Sequence, residues 1–108
     1  MSDNGPDSKQ QRQAREAFDD ATGEQLPAID FATFVLSLAH SGRVHLGDAP
    51  DPAAGTQGIE GAMARQTIDL LALLQEKTKG NLSGEEETLL AQALYDLRMR
   101  YVEVMKPR

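Results

Sequence analysis

Two histidines, His40 and His45, are the first residues to weigh for chemistry. The chain has no cysteine, so a thiol nucleophile, a disulfide framework and a cysteine-held zinc or iron–sulfur centre are all excluded. A zinc site on one helix wants two imidazoles four residues apart with a carboxylate nearby. These two are five apart, so on a helix they diverge by about 140° and do not converge on one ion. His45 falls on the apolar side of its segment, where a histidine hydrogen-bonded to a neighbour is the expectation. The run Glu85, Glu86, Glu87 fans around a helix, unlike the inward-facing carboxylates of acid–base or dimetal sites. Its place at a helix start, where negative charge complements the macrodipole, accounts for it. Asn81-Leu82-Ser83 matches the glycosylation sequon, yet Ser83 has a capping role and Met1-Ser2-Asp3-Asn4 opens a polar stretch without the apolar core of a secretory signal. Neither "GTQGIEG" nor "KTKGNLS" has the spacing or the Gly-Lys-Ser/Thr ending of a phosphate-cradling loop. With no Ser-His-Asp or Cys-His arrangement either, the sequence points away from an enzyme and implies no cofactor and no metal.

Recognition is the chemistry that remains. "YDLRMRYVEV", residues 95–104, concentrates Tyr95, Arg98, Arg100 and Tyr101, the residue types that most often anchor protein interfaces. Tyr95 and Arg98 are spaced to stack, Asp96 and Arg100 to pair, and Met99 fills gaps. The structural alternative keeps Leu97 and Tyr101 in a core and spends the arginines on salt bridges. A nucleic-acid- or ribosome-associated role would rest on Arg98, Arg100, Lys106 and Arg108, with Glu103 among them. The charge balance gives that role little support. The net charge is −6, with ten acids and four bases in residues 1–60 against seven of each in residues 61–108, so no global basic field attracts phosphate backbones.

The elements that must carry these groups are helical. Residues 1–28 read as a disordered acidic and polar tail, because beyond Met1 only Phe18 and Leu26 are large apolar side chains and cannot offset the ordering entropy. Lys9, Gln10, Arg12, Ala14 and Glu16 would suit a short helix over residues 8–18, but alone it is marginal in water. An all-α domain is expected over residues 29–106, with helices at about 30–46, 62–79 and 83–104. Asp30 N-caps the first, and Gly47 ends it. Phe31, Phe34, Val35, Leu38 and His45 recur on it at helical spacing, while Leu36, Ala39 and Val44 widen the apolar surface.

A proline- and glycine-rich connection, residues 47–61, leads to the second helix. There Ile68, Leu70, Leu71, Ala72, Leu73 and Leu74 spread over most of the circumference, as in a helix enclosed by neighbours. "KTKGNLSGEEETLL" then stops one helix and starts the next. Lys77 and Lys79 complement the outgoing end, Gly80 terminates, and Ser83 with Glu86 forms a capping box. The third helix shows Leu90, Ala93, Leu94, Leu97, Tyr101 and Val104 on one face and stops before Pro107.

"FATFVLSLAHSGRVHLGDAPDP", followed by "ARQTIDLLALLQEKTKGNLSGEEETLLAQALYDLRMRYVEV", resembles the domain of unknown function 1844 family of small bacterial proteins over about residues 30–104. The resemblance implies a bacterial cytoplasmic protein and transfers no activity and no functional residue.

The expectation is therefore a three-helix domain built on a helical hairpin, with a disordered N-terminal tail. The first two helices offer more apolar surface than so small a monomer hides, so a homodimer is expected, with Phe34, Leu38, Leu70 and Leu73 as the candidate self-association residues. The function expected is a non-catalytic helical protein–protein interaction module or small adaptor with an unknown protein partner, located in the cytoplasm. The longest apolar run, residues 31–39, falls well short of the roughly 20 residues of a membrane span.

Overall fold

The computed structural model describes residues 8–22, 28–49 and 58–107. Within them the chain forms four α-helices and no strand: α1 (Lys9–Thr22), α2 (Phe31–His45), α3 (Gly61–Lys77) and α4 (Gly84–Met105). Three helices pack together, and the fourth corrects the three-helix expectation. That extra helix, α1, lies inside the segment read as a disordered tail, of which residues 1–7 and 23–27 fall outside the described residues. Good helix formers supply it: Lys9, Gln10, Gln11, Arg12, Ala14, Arg15, Glu16, Ala17 and Ala21. Ser8 opens it, accepting from the Gln11 N–H on its hydroxyl at 3.4 Å and from the Arg12 N–H on its carbonyl at 3.1 Å. α1 packs against none of the other helices, and its described side chains are exposed.

α2 starts where Asp30 accepts the Thr33 N–H at 2.8 Å. This hydrogen bond holds the Asp30 carboxyl below the usual carboxylate range. α2 ends at Gly47, whose φ of +83° is the left-handed conformation that glycine adopts without Cβ strain. The Glu60 N–H donates to the His45 carbonyl at 2.7 Å, so the end of α2 meets the start of α3 and the two run antiparallel.

The corner between α3 and α4 is built as its residues imply. Gly80 has φ +87°. The Ser83 N–H donates to Glu86 Oε1 at 2.9 Å, and the Glu86 N–H donates to Ser83 Oγ at 3.1 Å, a complete capping box. α4 is thereby antiparallel to α3 and parallel to α2, and each of the three packs against the other two.

Their shared core is Val35, Ala39, Leu46, Ala64, Ile68, Leu71, Leu90, Ala93, Leu94 and Leu97. At Gly42, α2 comes close to both of its neighbours. A Cβ there would lie 3.1 Å from both methyls of Leu97 and 3.5 Å from Thr67 Cγ2, so a missing side chain lets α2 settle onto α3 and α4 together. Thr67, buried at this crossing, satisfies its hydroxyl by donating to the Met63 carbonyl at 3.1 Å. α3 is not enclosed as its all-round apolar pattern suggested: two neighbours cover only part of its circumference, and Leu70 and Leu73 are each 50% exposed.

Candidate interaction surfaces

Among the described residues, exposed apolar side chains outside this core gather into two surfaces. The first spans the groove between α2 and α3. Phe34 and Leu38 lie at i, i+4 on the flank of α2 that also carries His45, and His45 Nδ1 meets Glu60 Oε1 at 3.1 Å just ahead of α3. On α3, Met63 and Leu70 border Thr67, the residue that faces Gly42 of α2, and Leu73 lies one turn beyond Leu70. The four candidate self-association residues Phe34, Leu38, Leu70 and Leu73 are therefore on one side of the bundle. Phe34 is 43% exposed, Met63 46%, and Leu38 is half-buried. Phe31 braces Phe34 with ring centroids 6.4 Å apart and planes tilted by 59°.

The second surface is the outward side of α4. Tyr95, Met99 and Val102 follow one another at spacings of four and three, opposite the core residues Leu90, Leu94 and Leu97, and all three are exposed. The residues expected to act together in "YDLRMRY" are divided by the fold. Tyr95 and Arg98 face outward. Tyr101 packs against the core cluster from its edge. Arg100 turns toward the end of α2.

There Arg100 makes a two-pronged contact with Asp48: Nε donates to Oδ2 at 2.7 Å and Nη2 to Oδ1 at 2.8 Å, while Nη1 donates to Glu103 Oε1 at 3.2 Å. The Asp96–Arg100 pair expected from helical spacing is not formed, because Asp48 offers the guanidinium both oxygens in the plane it prefers. Asp96 instead accepts from Gln92 Nε2 at 2.9 Å. Hydrogen bonding to Arg100 pulls the Asp48 carboxyl below the usual carboxylate range and raises the guanidinium above its ordinary value. This contact joins residues 52 apart, and Arg100 acts as a clamp between α4 and the turn after α2. Of the four cations weighed for nucleic acid, Arg100 is thus engaged, and Arg108 lies outside the described residues.

Sequence reasoning did not find Asp48, Met63 or Val102. Asp48 carries no periodic signal. Val102 could have been found from its spacing to Tyr95 and Met99, with which it forms a second stripe opposite the first. The α3–α4 corner borders a groove of about 450 Å³ lined by Ala72, Lys79, Leu82, Glu87 and Leu90 among others. Among the described residues no group of three His, Asp or Glu is placed to hold a metal ion, and no helix is long and apolar enough to cross a membrane.

Compared with known protein families, residues 28–103 match the family described as domain of unknown function (DUF1844). No curated protein and no solved structure matches the chain.

Proposed function

The chain belongs to the DUF1844 family, and from that premise and its two apolar surfaces we propose that it is a non-catalytic helical protein–protein interaction module, a small adaptor of the bacterial cytoplasm. It self-associates as a dimer through one surface and offers the other to a partner protein. One observation carries the reading: large apolar side chains on two sides of the bundle stay 43–61% exposed although the three helices already share a closed core. Apolar groups grouped on a rigid face, rather than scattered singly, mark association sites. A domain this small also benefits from the burial a second copy adds.

The experiment is light scattering after gel filtration at micromolar concentration, combined with binding of a dye that reports exposed hydrophobic surface. A dimer supports the reading. A monomer that binds no dye removes it, since its apolar faces would then be neither paired nor available.

A further inference from the structure

α4 is apolar on two opposite sides. Leu90, Leu94, Leu97, Tyr101 and Val104 turn toward the bundle. On the other side, Tyr95, Met99 and Val102 are 61%, 48% and 56% exposed. Spacings of four and then three are those of a seam along which two helices pair. We infer that this seam pairs α4 with α4 of a second copy, the two helices parallel, about a two-fold axis running along them. The inference rests on the self-association proposed above and assigns it a face and a direction.

The edges of the seam decide the direction. Asp96 and Glu103 line one edge, and Arg98 lies on the other. Suppose the helices paired antiparallel with their apolar side chains opposed, Tyr95 across from Val102. A two-fold of that kind brings like edges together, so Asp96 would face Glu103 of the other copy twice, and Arg98 would face Arg98. A parallel two-fold brings unlike edges together. Arg98 of each copy then lies beside Glu103 of the other, one heptad step further on, and the contact forms twice. Charges flanking an apolar seam set the orientation of paired helices in this way.

The side chains are placed for it. Arg98 is exposed and belongs to no ion pair within the described part of its own chain. The Glu103 side chain is 66% exposed and is steadied by Arg100, itself anchored on Asp48. A carboxylate has acceptor sites enough for both guanidinium groups. Glu85 and Lys106, which a parallel pairing would set against their own copies, lie beyond the apolar segment at the ends of α4, where water and salt screen them. The α2–α3 surface with Phe34, Leu38, Leu70 and Leu73 stays uncovered, which leaves it to the partner protein.

The test uses two charge reversals in the full chain, Arg98→Glu and Glu103→Arg, measured by sedimentation equilibrium at moderate salt, with helical content and urea midpoint as controls for folding. For a parallel pairing each variant alone self-associates about 30-fold more weakly, as two attractive contacts become repulsive. Mixed one to one, the variants regain dimerisation, because every cross-contact is again between opposite charges. If E103R alone dimerises more tightly, the new guanidinium faces Asp96 of the other copy, the helices are antiparallel, and the inference is wrong. A wild-type dimer indifferent to both reversals also overturns it while leaving self-association standing. A wild-type monomer overturns both. The chain has no cysteine, so Val102→Cys gives an independent readout: a parallel seam sets this position against itself, and mild oxidation yields a covalent dimer. Cross-linking only between Tyr95→Cys and Val102→Cys chains would refute it.

Discussion

Gly42→Ala separates two physical accounts of α2 because they predict opposite signs. In a helix interior, replacing glycine by alanine ordinarily stabilises by about 1 kcal/mol, since the unfolded chain has less backbone freedom to lose. Here the added Cβ would sit 3.1 Å from both methyls of Leu97, which is 1% exposed, and 3.5 Å from Thr67 Cγ2. Leu97 is enclosed by the core and has little room to withdraw, so the overpacking cost is of order 2 kcal/mol. The net expectation is a loss of about 1 kcal/mol, a sizeable fraction of the ~5 kcal/mol by which a domain this small exceeds its unfolded state. Urea unfolding followed by circular dichroism reads it as a midpoint about 1 M lower with an unchanged slope. Ser41→Ala, at the exposed neighbouring position, should stay within about 0.5 kcal/mol. Leu97→Val, which shortens the opposing side chain, should couple favourably to Gly42→Ala by about 1 kcal/mol in a double-mutant cycle. A Gly42→Ala protein more stable than wild type by about 1 kcal/mol would refute the close approach of α2 to α4.

Other expectations follow from single contacts. Ser83→Ala removes one half of the capping box and should cost about 1 kcal/mol, a thermal midpoint lower by roughly 4–8 °C; an unchanged midpoint would mean that the corner is held by packing alone. The Asp48 carboxyl is held below its ordinary value of 3.8 by Arg100, so its contribution is present at neutral pH and lost as the pH falls through the lowered value. Asp48→Asn should therefore show a shallower loss of stability than wild type below about pH 4, measured as urea midpoint against pH; parallel curves would contradict this. Leu70→Asp with Leu73→Asp, at positions each 50% exposed, should leave helical content unchanged and reduce hydrophobic-dye binding. Unfolding of this variant would mean that both leucines belong to the core.

What local chemistry controls was legible along the chain. Ser83 and Glu86 lie three residues apart, and a capping box needs no other partner. Gly47 and Gly80 stand where a helix must end in a conformation that a Cβ resists. The stripe from Leu90 to Val104 follows from the helical repeat. Local propensity misled at both extremes: it counts for more in α1, whose alanines and long polar residues form a helix that packs against none of α2, α3 and α4, and for less in the i, i+4 pairing of Asp96 with Arg100.

The sequence by itself determined that the described chain is helical, where α2 and α4 are capped, and which apolar residues share a stripe, because those properties depend on neighbours within about a turn. Only the tertiary structure decided that Arg100 holds Asp48 from 52 residues away, that α2 meets its neighbours at a residue with no side chain, and that Leu70 and Leu73 stay half in solvent. Each of these depends on how three helices meet in space. A helical repeat specifies the faces of a rod, but the number and angle of its neighbours decide which of those faces is covered.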